Sequence, residues 1–154
     1  MKPPSPEVKE KLVAACKAYA EERIATAREA MENAQRSANA EEKSSAGDKY
    51  ETGRAMMQRE RDQAAMLLEE SLKLLSILER IKPDATSDNV ITGSIVMSKD
   101  VNFFIGISAG VLTVNDINFI AVAPASPIAQ QLLGKAVGDS FLFKGSPHTI
   151  TWIG

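Results

Sequence analysis

Two carboxylates, Asp48 and Glu51, stand three residues apart in the stretch SSAGDKYETGRAMM, between two long segments of helical periodicity. At a helix start that spacing has a mechanical reading. Asp48 as N-cap, with Glu51 at the third helical position reaching back, is close to a capping box, and both acids suit the positive end of the helix dipole. A chemical reading of the pair stays open beside it. The other reactive side chains offer less. Cys16 is the only cysteine and His148 the only histidine, so a thiol nucleophile would lack the set of bases that such chemistry uses. Cys16 falls on an apolar helical stripe and reads as a small seam residue. His148 is expected to cap a turn beside Pro147, and Trp152 to pack in the last strand.

The elements that would carry Asp48 and Glu51 are legible from period. After Pro6, no glycine or proline occurs up to about Ala40. Val8, Leu12, Cys16, Ala20, Ile24, Ala27, Met31, Ala34 and Ala38 recur every three or four residues, which traces one stripe on a helix. Ser5 before Pro6 marks the start. A helix of that length would run ~50 Å at ~1.5 Å per residue, too long for a compact small domain. From about Lys49 to Ile81, Tyr50, Gly53, Met57, Glu60, Ala64, Leu67, Ser71, Leu74, Leu78 and Ile81 repeat the pattern, and Leu68, Leu72 and Leu75 widen it. Two such helices broken by SSAG predict an antiparallel coiled-coil hairpin over 5–81, with an acidic tip at 47–51, a polar turn end and a Leu-rich base.

After the polar linker KPDATSDN the period shortens. Val90–Ser98, Val101–Ser108, Gly110–Val114, Ile117–Ala123, Ser140–Lys144 and Thr149–Ile153 read as strands. Lys99-Asp100 and Asn115-Asp116 are short enough for hairpin loops. Ser126 as cap, Pro127 and IAQQLL stopped by Gly134 predict one short helix. The fold class is therefore α+β, a helical hairpin followed by a small antiparallel sheet domain over 89–154.

Composition narrows the function classes. The chain of 154 residues is 44% apolar with a net charge of −2. That balance argues against direct nucleic-acid binding by bulk charge. Most charges precede Pro83. No apolar run approaches the ~18 residues that span a bilayer. The start, MKPPSPEVKEKL, lacks the apolar stretch of a secretory signal. With a single cysteine there is no internal disulfide, which suits a reducing cytoplasm.

Two motifs then resemble a known family, the bacterial Gre transcript-cleavage factors. SPIAQQLLGKAVGD, Ser126 to Asp139, is similar to their C-terminal signature, and GDKYE, Gly47 to Glu51, matches their tip pattern Gly-Asp-x-x-Glu. The resemblance implies an FKBP-like C-terminal domain that docks on the rim of the RNA polymerase secondary channel, with Ser126, Pro127, Leu133, Gly134 and Lys135 as polymerase-binding candidates. It implies a hairpin that reaches the active centre and the 3′ end of the nascent RNA. There Asp48 and Glu51 would help hold a catalytic Mg²⁺ shared with the polymerase, so the chain stimulates RNA cleavage and is not itself an enzyme. Mg²⁺ takes hard oxygen ligands and is commonly held by one or two carboxylates completed by other groups. Arg54, Arg59 and Arg61 either meet RNA phosphates in the channel or form an ordinary charged face. Lys135, after the Gly134 stop, is expected to be exposed.

After Glu51 the family continues Asn-Ala-Glu-Tyr, whereas this chain has Thr52, Gly53, Arg54 and Ala55, a base in place of a third acid. The alternative is a Gre-like secondary-channel regulator without cleavage activity. A peptidyl-prolyl isomerase is disfavoured, since the domain is small and its sequence shows no aromatic-lined pocket. A coiled-coil adaptor whose tip acids only cap a helix completes the alternatives. A cytoplasmic monomer is expected.

Overall fold

The structure, a computed structural model, describes residues 4–43 and 47–154, with the side chains of 41–52 outside the described set. Helix α1 is Pro6–Lys43, 38 residues, and α2 is Gly47–Glu79, 33 residues. They form the expected hairpin. Proline opens α1, and the Ser5 carbonyl accepts from the Val8 N–H at 3.0 Å. The periodic stripe is the buried face: Val8, Leu12, Cys16, Ala20, Ile24, Ala27 and Ala34 are all buried. In α2 the same holds for Ala64, Ser71 and Leu78, whereas Glu60 is exposed. Ser71 tolerates burial because its hydroxyl donates to the Leu67 carbonyl at 2.7 Å.

Six strands follow: β1 Ile95–Ser98, β2 Asn102–Ile105, β3 Gly110–Val114, β4 Ile117–Val122, β5 Ser140–Phe143 and β6 Ser146–Ile153, with α3 at Pro127–Leu132 between β4 and β5. The sheet order is β3-β4-β2-β1-β6-β5. Every pair is antiparallel except β2 with β4. That exception arises because β3 turns back through a two-residue loop and β4 then slots between β3 and β2. The loop residues Asn115 and Asp116 have φ of 51° and 65°, a left-handed pair whose twist suits a tight hairpin.

The first strand is shorter than its apolar run. Val90–Ser94 leave the sheet at Gly93, whose φ is +97°, a conformation open to glycine and strained for other residues. A side chain there would also meet Ile81 at 3.1 Å.

One compact unit takes Ser76–Gly154 with the chain up to Ala18, and the other is Tyr19–Leu75. In the first unit the middle of the sheet, β1 and β2, is covered on both sides. Val96, Phe103, Ile105, Val122, Phe141 and Ile150 pack with Ala129 and Leu132 of α3. Phe103 meets Phe141 and Phe143 edge-on, with centroids 5.8 and 5.2 Å apart. All four residues of β1 are buried, which requires a second layer against the other face. In this unit the start of α1 contributes Val8 and Leu12 to the buried set, the end of α2 Leu78, and the chain just beyond it Ile81. Full burial of a side chain of this size stabilises by roughly 1.5–3 kcal/mol. Among the described residues, no helix is long and apolar enough to cross a membrane.

Candidate functional sites at the hairpin turn and the C-terminal motif

Asp48 and Glu51 lie in the first turn of α2, at the closed end of the hairpin. Their side chains are outside the described residues. The helix takes in Gly47, so both acids fall at its first turn, while the capping-box reading, which rests on their side chains, lies outside the described residues. The first turn is where an acid meets unpaired N–H groups. The i,i+3 spacing sets the two acids on neighbouring positions of one face.

Arg54, Arg59 and Arg61 are exposed along the same helix. At ~100° per residue, Arg54 and Arg61 fall about 20° apart, while Arg59 sits across the helix from that line. The three do not form one cluster. Gly53 and Met57 are half-buried, and the seam behind them is built from small residues. Ala30, Asn33, Ala34 and Ser37 share a groove with Glu60, Gln63, Ala64 and Leu67. Among the described residues, no three His, Cys, Asp or Glu side chains gather as a metal cluster.

The C-terminal motif is an interlocked turn system. Ser126 has φ −67° and ψ 152°, accepts from the Ala129 N–H and donates to the Ala123 carbonyl at 2.7 Å, with Pro127 opening α3. Leu133 is the C-cap, its N–H bound to the Ala129 carbonyl at 2.8 Å. Gly134 follows at φ +85°, a left-handed position that ends the helix. Its N–H donates to the Val90 carbonyl, and the Val90 N–H donates to the Lys135 carbonyl, each at 2.8 Å. Asp139 closes the next turn, accepting from the Ala136 N–H at 2.8 Å.

Lys135 departs from expectation. It is half-buried, and its ammonium donates to the Ser140 carbonyl at 2.8 Å. Ser126, Leu133, Gly134 and Lys135 thus each have a structural role; Pro127, which opens the helix, and Gly134 are the exposed members. The apolar side chains this region presents are Val137 and Leu142, 57% and 56% exposed.

His148 lands where periodicity did not put it: it sits inside β6, stacked on Phe141 at 5.4 Å and 21°, and not at a turn. Trp152 packs in the last strand as expected, paired with Met97 and half-buried, and it lines a pocket of about 280 Å³ with Pro4, Pro6, Pro83 and Ile95 as the one aromatic ring there. Lys9 escaped notice altogether: it is buried at 6% exposure and donates to the Ala85 carbonyl at 2.9 Å. Burial pushes its pKa down from the usual lysine value. The signal was Val13 beside Leu12, which widens the buried stripe at the start of α1 to take in Lys9. Burial likewise pushes the Cys16 thiol up to about 11, which leaves it a poor nucleophile.

No family model and no curated protein matches the chain. A solved structure described as that of the transcription factor Gfh1 is similar over 89% of this chain and 92% of its own, at 18% identity and a TM-score of 0.35. A TM-score of that size leaves fold and function to be argued from the residues of this chain.

Proposed function

We propose that this chain is a Gre-like transcription elongation factor that binds RNA polymerase and stimulates Mg²⁺-dependent cleavage of backtracked RNA. The observation that carries the reading is positional. The Asp-x-x-Glu pair opens the second arm of a long helical hairpin, and the same chain carries the 14-residue motif from Ser126 to Asp139. The tip match is weak alone and the longer C-terminal motif is fairly specific; their joint placement resembles one known layout.

The donor set suits the role. Asp48 and Glu51 are hard oxygen donors on neighbouring positions of one helical turn, and they supply two ligands at most. A Mg²⁺ ion needs near-octahedral coordination, so the remaining ligands would come from the polymerase and from water. When bound, such an ion generates a hydroxide nucleophile or stabilises the leaving oxygen of phosphoryl transfer. The residues of this chain would position the carboxylates: the helix fixes their spacing, and its arms carry them into the secondary channel. Arg54, with Arg61 on the same face just beyond that turn, is the arginine pair placed for RNA phosphates.

The base at Arg54, where the family has an acid, favours a second reading, a channel binder that regulates without cleavage. Incubation of the purified protein with a stalled, backtracked elongation complex and Mg²⁺ separates the two. RNA shortened from its 3′ end, with the 5′-labelled fragment retained, is the expected result. Unshortened RNA together with polymerase binding leaves the regulator, and absence of binding rejects both.

A further inference from the structure

We propose that a cavity in the first unit, lined by Lys9, Arg80 and Lys82, is a binding site for a small phosphate-bearing anion. The cavity has a volume of about 150 Å³, and its walls also carry the hydroxyl residues Ser87, Thr92 and Ser94. No carboxylate lines it. Cavities of this size accept a benzene-sized guest, which is room for one phosphate group but not for a whole nucleotide.

The charge balance points to an anion. The Lys9 ammonium has three donors, and the described residues give it a single acceptor, the Ala85 carbonyl. Among the described residues the one ion pair is Lys73 with Glu69, so no carboxylate oxygen lies within 4.0 Å of the Lys9 ammonium, and Asp84 lines the neighbouring pocket that Lys9 also borders without pairing with it. A buried cation without a counter-charge costs free energy that an entering anion offsets. Desolvation lowers the Lys9 pKa, in keeping with that deficit. Arg80 and Lys82 are exposed at the cavity wall, where they can follow an anion inward. Ser94 is 2% exposed and accepts from the Ile91 N–H at 2.9 Å, which leaves its own hydroxyl hydrogen to donate. A tetrahedral, multiply charged oxyanion satisfies several such donors from different directions.

The inference is independent of the polymerase reading, and its test involves no polymerase. Thermal unfolding of the full chain is followed in orthophosphate and in sodium chloride at equal ionic strength, with ADP and adenosine as further arms. Orthophosphate at ten times its Kd should raise Tm by about 3–6 °C over the chloride control. A rise with ADP alone, and none with adenosine, would assign the site to a terminal phosphate on an organic carrier. Lys9→Met keeps the buried stem and should abolish the rise. Arg80→Gln and Lys82→Gln, both at exposed positions, should each weaken binding about two- to fivefold, and they carry the test if Lys9→Met does not fold. Equal Tm in phosphate, ADP and chloride, or a phosphate rise that survives all three substitutions, overturns the proposal.

Discussion

Burial decides what single side chains can do in this protein, and Cys16 makes the clearest case. Its thiol pKa is raised to about 11 by desolvation. Between pH ~9 and ~11 the unfolded chain loses that proton while the folded chain keeps it, so the unfolded state binds fewer protons and stability falls as pH rises. Lys9 works in the opposite sense, since its folded pKa is depressed and its charging penalty disappears as pH rises towards 10.5. The difference between wild type and Cys16→Ala isolates the thiol. In urea titrations from pH 8 to 11, wild type should lose stability relative to the variant above pH ~9. A constant difference across that range would contradict the buried thiol. The α1 stripe was readable residue by residue because period alone reports which face is buried. Lys9 and Lys135 were not, because a lysine in a sequence reads as solvated, and only the fold supplies the carbonyls of Ala85 and Ser140 that hold them.

Elements were legible to the degree that local chemistry fixes them. Pro6 opens α1, Ser126 and Pro127 open α3, and Asn115-Asp116 turns β3 into β4, each where the sequence places it. Pairing between distant strands has no local code, so the parallel contact of β2 with β4 was not foreseen. Nor was the early start of β6, since Pro147 argues against a strand. It is tolerated because Ser146–His148 pair with β5 alone, while the pairing with β1 begins at Ile150, so its missing N–H falls on an unpaired edge. The hairpin arms allow a prediction at this scale. Ala30, Asn33 and Ala34 share a groove with Glu60, Gln63 and Ala64, so removing Ala30–Arg36 together with Glu60–Met66 withdraws the turn by ~10 Å while keeping the seam in register. The shortened protein should still bind polymerase in a pull-down and should no longer support RNA shortening. Normal cleavage by that variant would show that reach is not what the arms provide.

For the whole molecule, the helical hairpin followed by a small sheet was readable from the change of period near Pro83. The covering of both faces of β1 was not, because the linker reading gave the ends of the helices nothing to pack on. The chain's proposed action turns on one acid pair, whose mechanical and chemical roles are separable by substitution. Asn caps about as well as Asp, and Gln serves a capping box nearly as well as Glu, so Asp48→Asn and Glu51→Gln should leave stability within about 1 kcal/mol of wild type. Neutral amides are much poorer Mg²⁺ ligands than carboxylates. The deciding measurement is the rate of RNA shortening in a backtracked elongation complex, for wild type and both variants, at protein concentrations that saturate polymerase binding. The account predicts a loss of at least about tenfold for each variant, the loss of roughly 1.4 kcal/mol of transition-state stabilisation, with binding retained. Variants that shorten RNA at the wild-type rate would leave Asp48 and Glu51 as helix-end residues and contradict it.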